Sequence, residues 1–282
     1  MIPNWKSINC KGQLISLEEP QVMGIINVTP DSFYDGGANL EVQKAVDTAT
    51  QMLAAGAGFL DVGGYSSRPG AEDISVGEEA GRVLPVIEAI LKEFPDALIS
   101  IDTFRSEVAR QAVAAGAAII NDISGGHLDA QMLPTVAELQ VPYIMMHMRG
   151  TPQTMKSLTE YDNLILEIKD YFATQLHSAR ALGINDVIID PGFGFAKTVE
   201  QNYQLLDRMQ ELGDLNCALL AGVSRKSMIY KTLDITAQNA LNGTTALNAW
   251  ALDRGANILR VHDVAEAVEC IKLHKALSAS RQ

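Results

Sequence analysis

Acids, amides, bases and glycines gather in short clusters along this chain. They lie at 27–37 (NVTPDSFYDGG), 61–70 (DVGGYSSRPG), 102–106 (DTFRS), 121–126 (NDISGG), 146–150 (MHMRG), 190–195 (DPGFGF), 224–227 (SRKS) and 260–263 (RVHD). The clusters offer two kinds of chemistry. Asn27, Arg68, Lys226, Arg260 and His262 are hydrogen-bond donors suited to an anion, of which phosphate is the simplest. Asp102, Asn121 and Asp190 are acceptors, suited to a ring that presents several N–H groups, as a guanidine-like heterocycle does. Taken one at a time, most of these residues have a plainer reading. Asp102, Asn121, Asp122 and Asp190 can cap the helices that follow them. Gly192 and Gly194 can serve a turn, Asp263 can start the last helix, and His147 among methionines reads as a satisfied core histidine. Lys226 and Arg260 resist that treatment, because a charge at the end of a buried strand needs a partner or a ligand.

A repeated unit positions the clusters: an amphipathic stretch, a glycine beside a small residue, then a short apolar run ending in polar or glycine residues. AAGAGFLDVGG (54–64), AAGAAIINDIS (114–124), ALGINDVIIDPG (181–192) and RGANILRVHD (254–263) all follow it, with glycine where a helix end needs positive φ. The feeding stretches carry apolar residues at helical spacing, as in Val42, Ala45, Val46, Ala49, Met52 and Leu53. Further strands are expected at 22–27, 97–102, 143–147 and 218–223, giving about eight, none paired as a hairpin and all joined by right-handed crossovers. Eight βα units in a chain of 282 residues match a closed (β/α)8 TIM barrel better than an open doubly wound sheet. The expectation is a single domain over 1–282, with residues 1–20 as an N-terminal extension forming a short plug or hairpin under the barrel. In such a barrel every cluster falls at the C-terminal ends of the strands, where catalytic groups collect.

Composition narrows the partners. No run approaches the ~18 apolar residues of a membrane span, and MIPNWKSINCKG lacks an export signal's basic-then-apolar order. Cys10, Cys217 and Cys270 form no paired spacing, which fits a reducing cytoplasm. A formal charge of −12 disfavours nucleic acid and requires a locally basic pocket for any phosphate ligand. A ligand anionic at one end and donor-rich at the other describes a pterin carrying a phosphate.

The motifs NVTPDSF, DVGG-x-S-x-RPGA, DPGFGF, SRKS and RVHD, in this order and spacing, resemble those of bacterial dihydropteroate synthase over essentially the whole chain. The resemblance implies a transferase of folate biosynthesis that joins para-aminobenzoate to 6-hydroxymethyl-7,8-dihydropterin diphosphate, releasing diphosphate and 7,8-dihydropteroate. By motif position it implies that Asp102, Asn121, Met146, Asp190 and Lys226 hold the pterin. Asn27, Arg68, Arg260 and His262 are implied for the diphosphate, with Asn27 also a ligand of Mg2+. Ser67, Pro69, Phe195, Lys226 and Ser227 are implied for the aminobenzoate. Departure of the diphosphate leaves a cation conjugated with the ring, so an SN1-like path is expected, with Asp102 and a first-loop acid, Asp31 or Asp35, stabilising that cation, and Arg68 and Lys226 assisting. Sulfonamide inhibitors are expected to compete for the aminobenzoate site, Pro69 following Arg68 without an inserted residue, and a homodimer through the later barrel helices is implied.

Two departures stand out: Tyr65 where many members have Glu, and Ser67 where Thr is commoner, which put aminobenzoate affinity or loop packing in question. Two other classes fit part of the pattern. A methyltetrahydrofolate-dependent corrinoid methyltransferase would share the pterin acids but has no need of Arg68, SRKS or the NVTPDSF loop. A non-catalytic pterin-binding paralogue would be expected to lose Asn27, Arg68 or Asp102, all of which this chain keeps.

Overall fold

Short apolar runs with inward and outward residues alternating make the strands here, and the computed structural model describes residues 7–29, 38–66 and 73–280. A hairpin comes first, β1 (Ser7–Cys10) and β2 (Gln13–Ser16). Its two-residue turn places Lys11 at φ 51° and Gly12 at φ 80°, the left-handed pair that a tight hairpin requires. Eight parallel strands follow: β3 (Gln21–Asn27), β4 (Phe59–Gly63), β5 (Ile99–Asp102), β6 (Ile119–Asp122), β7 (Tyr143–Met146), β8 (Val187–Asp190), β9 (Ala218–Ala221) and β10 (Ile258–Val261). They close into a barrel in sequence order, β10 pairing with β3.

Helices α1 (Ala38–Ala54), α2 (Val76–Glu93), α3 (Ser106–Ala114), α4 (Met132–Leu139), α5 (Leu164–Ala181) and α6 (Val199–Asp207) separate the strands from β3 to β9. Two more, α7 (Ser227–Thr232) and α8 (Leu241–Asp253), lie between β9 and β10, and α9 (Val264–Ala279) ends the described chain. This is the (β/α)8 TIM barrel expected of the sequence. Among the described residues no helix is long and apolar enough to cross a membrane.

The period of two sorts the strand residues. Leu60, Val62, Ile99, Ile101, Ile120 and Ile189 face outward and pack under the helices. Met23, Phe59, Ile119, Ile144, Ile188, Ala218 and Ile258 face inward at the N-terminal end, where Ile8, Cys10 and Leu17 of the N-terminal segment close over them. The inward positions nearer the C-terminal end are polar instead, and they form the site.

Candidate active site

Asp61 stands in the middle of β4, two residues beyond the inward Phe59, so its carboxylate enters the barrel and is fully buried. Its Oδ2 accepts from Arg260 Nε at 2.6 Å and from Asn121 Nδ2 at 3.0 Å, which joins β10 and β6 across the lumen. Arg260 NH2 also donates to Asp102 Oδ2 at 2.6 Å. Burial disfavours the guanidinium charge, but Asp61 and Asp102 outweigh it and raise Arg260 above its ordinary value. Asp102 is raised too, but toward its neutral form: burial takes it to about 7, against the pull of Arg260 and with Asp61 adding to the rise. Its side chain keeps 21% exposure, so it forms part of the pocket wall rather than capping the next helix, which has no side-chain cap.

Asp190 ends β8 with Oδ1 accepting from Gly192 N at 2.8 Å. Burial raises its pKa despite Lys226 opposite. Gly222 leaves room between the two. A Cβ there would lie 3.9 Å from Asp190 Oδ2 and 4.0 Å from Lys226 Nζ, so both side chains converge on that glycine. Lys226 is lowered to about 8 by burial, with Asp190 resisting. Its Nζ donates to the Phe193 carbonyl and sits 4.8 Å from the centre of the Phe195 ring. Phe195 packs with Met146 at the same mouth. Ser227 follows directly as the first residue of α7.

His262 follows β10. Ser224 Oγ accepts from the His262 amide at 3.2 Å and contacts its Nδ1 at 3.1 Å. Asn27 ends β3 in register with Gly63, which in turn pairs with Asp102, so its amide is two strands from the acid. Asn27 carries a side-chain oxygen, the type of atom that Mg2+ prefers. Among the described residues no three His, Cys, Asp or Glu gather to hold a metal ion.

The structure therefore brings Asp102, Asn121 and Arg260 into one network, and Asp190, Lys226, Phe195 and Met146 around one glycine-lined opening. The expected roles of Asp31, Asp35, Ser67, Arg68 and Pro69 fall outside the described residues. Tyr65, the unusual residue, packs edge-on against Phe104 with ring centres 4.9 Å apart, lies under the Arg105 guanidinium and accepts from Gln153 Nε2 at 3.1 Å. Arg105 also pairs with the buried Glu79 and with Asp73, so loop packing is what Tyr65 bears on.

Sequence reading grouped Asp61 with the polar residues after its strand, whereas it lies within β4. The available signal was an acid at inward parity inside the apolar run FLDV. Ser224 was also missed as the partner of His262. The plainer reading holds for His147, which is satisfied by Lys197, whereas Asp122 does not cap the following helix but accepts from Ser124, Gly126 and Tyr143 and holds the turn after β6. Asp263 does more than start a helix, because Arg225 grips it through two hydrogen bonds of 2.7 and 2.8 Å. A polar crevice of about 640 Å³ at Arg149, Tyr161, Glu167 and Gln201 lies apart from this network, and its cation is already committed to Glu167 and to the Tyr161 ring.

The model of a family described as pterin binding enzyme matches residues 23–262. Dihydropteroate synthase of Synechocystis sp. is 47% identical over 259 residues, covering 91% of this chain and 89% of that protein. Dihydropteroate synthase of Xanthomonas albilineans, solved with 4-aminobenzoic acid, superposes with a TM-score of 0.91 at 40% identity, covering 97% of this chain and 98% of that one. That of Yersinia pestis, solved with a sulfonamide drug complex, also gives 0.91, at 41% identity and 97% and 99% coverage.

Proposed function

The chain belongs to the dihydropteroate synthase family of pterin-binding enzymes, transferases of folate biosynthesis, and from that premise we propose that it condenses 6-hydroxymethyl-7,8-dihydropterin diphosphate with para-aminobenzoate. The arrangement that carries this reading is the lumen itself, where carboxylates and an amide (Asp102, Asn121, Asp190) surround two cations (Arg260, Lys226). Asn121 and Asp190 offer the acceptors that a ring rich in N–H groups needs, Lys226 offers a donor, and Met146 supplies an apolar face. His262 presents its ring to the diphosphate, and Arg260 and Arg68 supply positive charge there. Phe195, Ser67, Pro69 and Ser227 form the aminobenzoate side.

The C–O bond of the pterin methylene breaks with its electron pair leaving on the diphosphate. The ring-conjugated cation is then met by Asp102 and by Asp31 or Asp35. The aniline nitrogen forms the C–N bond and gives its proton to solvent. Mg2+ would be held through the Asn27 side-chain oxygen and would supply charge neutralisation to the leaving group. Sulfonamides compete at the aminobenzoate side, a reading supported by the sulfonamide complex of the Yersinia pestis relative. Three free, buried cysteines suit a cytoplasmic enzyme. Trp250 on α8 and Leu273 and Leu277 on α9, each more than half exposed, supply apolar surface for a homodimer.

Incubating the purified protein with Mg2+, the pterin diphosphate and para-aminobenzoate should yield dihydropteroate. Asp102→Ala and Arg68→Ala should each lose about 10²-fold or more in kcat, the size of effect seen for a lost charge-stabilising group. Full activity in both variants would overturn the site. Omitting para-aminobenzoate should leave slow release of diphosphate, and no release at all in that control counts against the dissociative path.

A further inference from the structure

Lys197 is a buried cation that this reaction does not use. It lies between β8 and α6 at 8% exposure, and its Nζ donates to the carbonyls of Gly192 and Phe195, each at 3.0 Å. A third neighbour, His147 Nδ1, is also at 3.0 Å. Burial pushes His147 down to about 2, so its ring is neutral and Nδ1 can accept. Burial lowers Lys197 itself to about 7, with Asp190 resisting, and its ammonium form has three N–H groups for the three acceptors present.

These contacts converge on one loop. Gly192, Gly194 and Ala196 all take positive φ, at 72°, 82° and 49°, which turns the carbonyls of residues 192 and 195 back toward Lys197. Asn202 Oδ1 accepts from Gly194 N at 2.6 Å and braces the loop from the same side. The loop's other side meets Lys226, through the Phe193 carbonyl, the Phe195 ring and a Gly194 Cβ position 3.2 Å from the Lys226 stem. Removing Lys197 takes the side-chain donor from the Phe195 carbonyl and leaves the Gly192 carbonyl only the Phe195 amide at 3.1 Å; a buried carbonyl short of donors is costly, so the loop is freed to rearrange toward water.

We propose that Lys197 is a positioning residue: by holding the Gly192 and Phe195 carbonyls against His147 it fixes the Phe195 ring and the Lys226 ammonium that form the aminobenzoate side of the site. This inference rests on the functional reading above and adds a residue to it. Asn121 and Asp102 hang on Arg260 and Asp61 rather than on this loop, so the far end of the pterin site is insulated from the change.

Steady-state kinetics of the intact enzyme separate the two subsites. Lys197→Met should raise the KM for para-aminobenzoate about tenfold or more and the KM for the pterin diphosphate, whose site shares Lys226 and Asp190 with this loop but keeps Asp102 and Asn121, by a clearly smaller factor. His147→Phe, which keeps an aromatic ring and removes the acceptor, should move the aminobenzoate constant in the same direction by a smaller factor. If the two KM values rise by the same factor, or only kcat falls, Lys197 merely stabilises the fold and the proposal is lost. Where Lys197→Met does not fold, His147→Phe decides on the same terms. Wild-type protein that makes no dihydropteroate defeats the functional reading and this inference with it; active wild type with no selective shift defeats this inference alone.

Discussion

Asp102 carries conflicting demands. Burial and the neighbouring Asp61 raise its pKa to about 7, whereas stabilising a cation requires it ionised. An aspartate in an unfolded chain titrates near ~4, so the folded protein holds this proton more tightly. Its contribution to stability is therefore complete below about pH 4 and is lost as pH rises through about 7. Activity should follow the opposite course, with kcat falling as pH drops below the same value. Asp102→Asn, neutral at every pH, should keep the fold, lose kcat by about 10²-fold or more, and show a smaller drop in thermal midpoint between pH 5 and pH 8 than the wild type. Equal drops in the two proteins would show that Asp102 is not the titrating group. Much of this network was legible in the sequence, because Asp102, Asn121, Asp190, Lys226 and Arg260 are polar residues closing apolar runs. Asp61 was less so: an acid inside an apolar strand reads as the strand's end until its inward parity is set by Phe59 and its partners Arg260 and Asn121 arrive from 199 and 60 residues away.

Among the elements, the strands were the most legible, since four of them follow a glycine-ended helix and all are short apolar runs, and the observed strands fall within the expected segments to within a residue or two. The hairpin was expected only as one of two forms, because four-residue strands with a half-polar pattern carry little periodicity. Its role follows from what it covers. Ile8 and Cys10 sit on Met23, Phe59 and Ile258 at the strands' N-terminal ends, and Asn9 N is held by Asp186 Oδ2 at 2.9 Å. This is the end of the barrel that serves stability, opposite the site. Ile8→Ala, at a position 3% exposed, should cost about 2–5 kcal/mol in denaturant unfolding and leave kcat/KM unchanged below the unfolding transition. A matching loss of kcat/KM would mean that the hairpin and the site are coupled through the lumen.

At the scale of the whole molecule, the site is enclosed by one barrel, and its described members come from β3, β4, β5, β6, β7, β8 and β10, the loops that follow β8, β9 and β10, and the start of α7 in the same chain. Assembly is thus not needed to complete that described set, and a dimer would act on stability and surface instead. The apolar surface available for it includes Trp250, 57% exposed on α8, and Leu273, 73% exposed on α9, two helices that pack on each other. A net charge of −12 opposes association at long range, so apolar contact has to supply the attraction, and added salt should strengthen the dimer by screening the repulsion. Sedimentation should find two 282-residue chains per particle, and Trp250→Glu should give monomers that keep kcat within about threefold, because a buried interfacial charge without a partner disfavours docking while the lumen stays intact. Wild-type protein that sediments as a monomer at micromolar concentration would remove the dimer. A monomeric variant that loses activity would instead show that the partner braces the loops around the mouth.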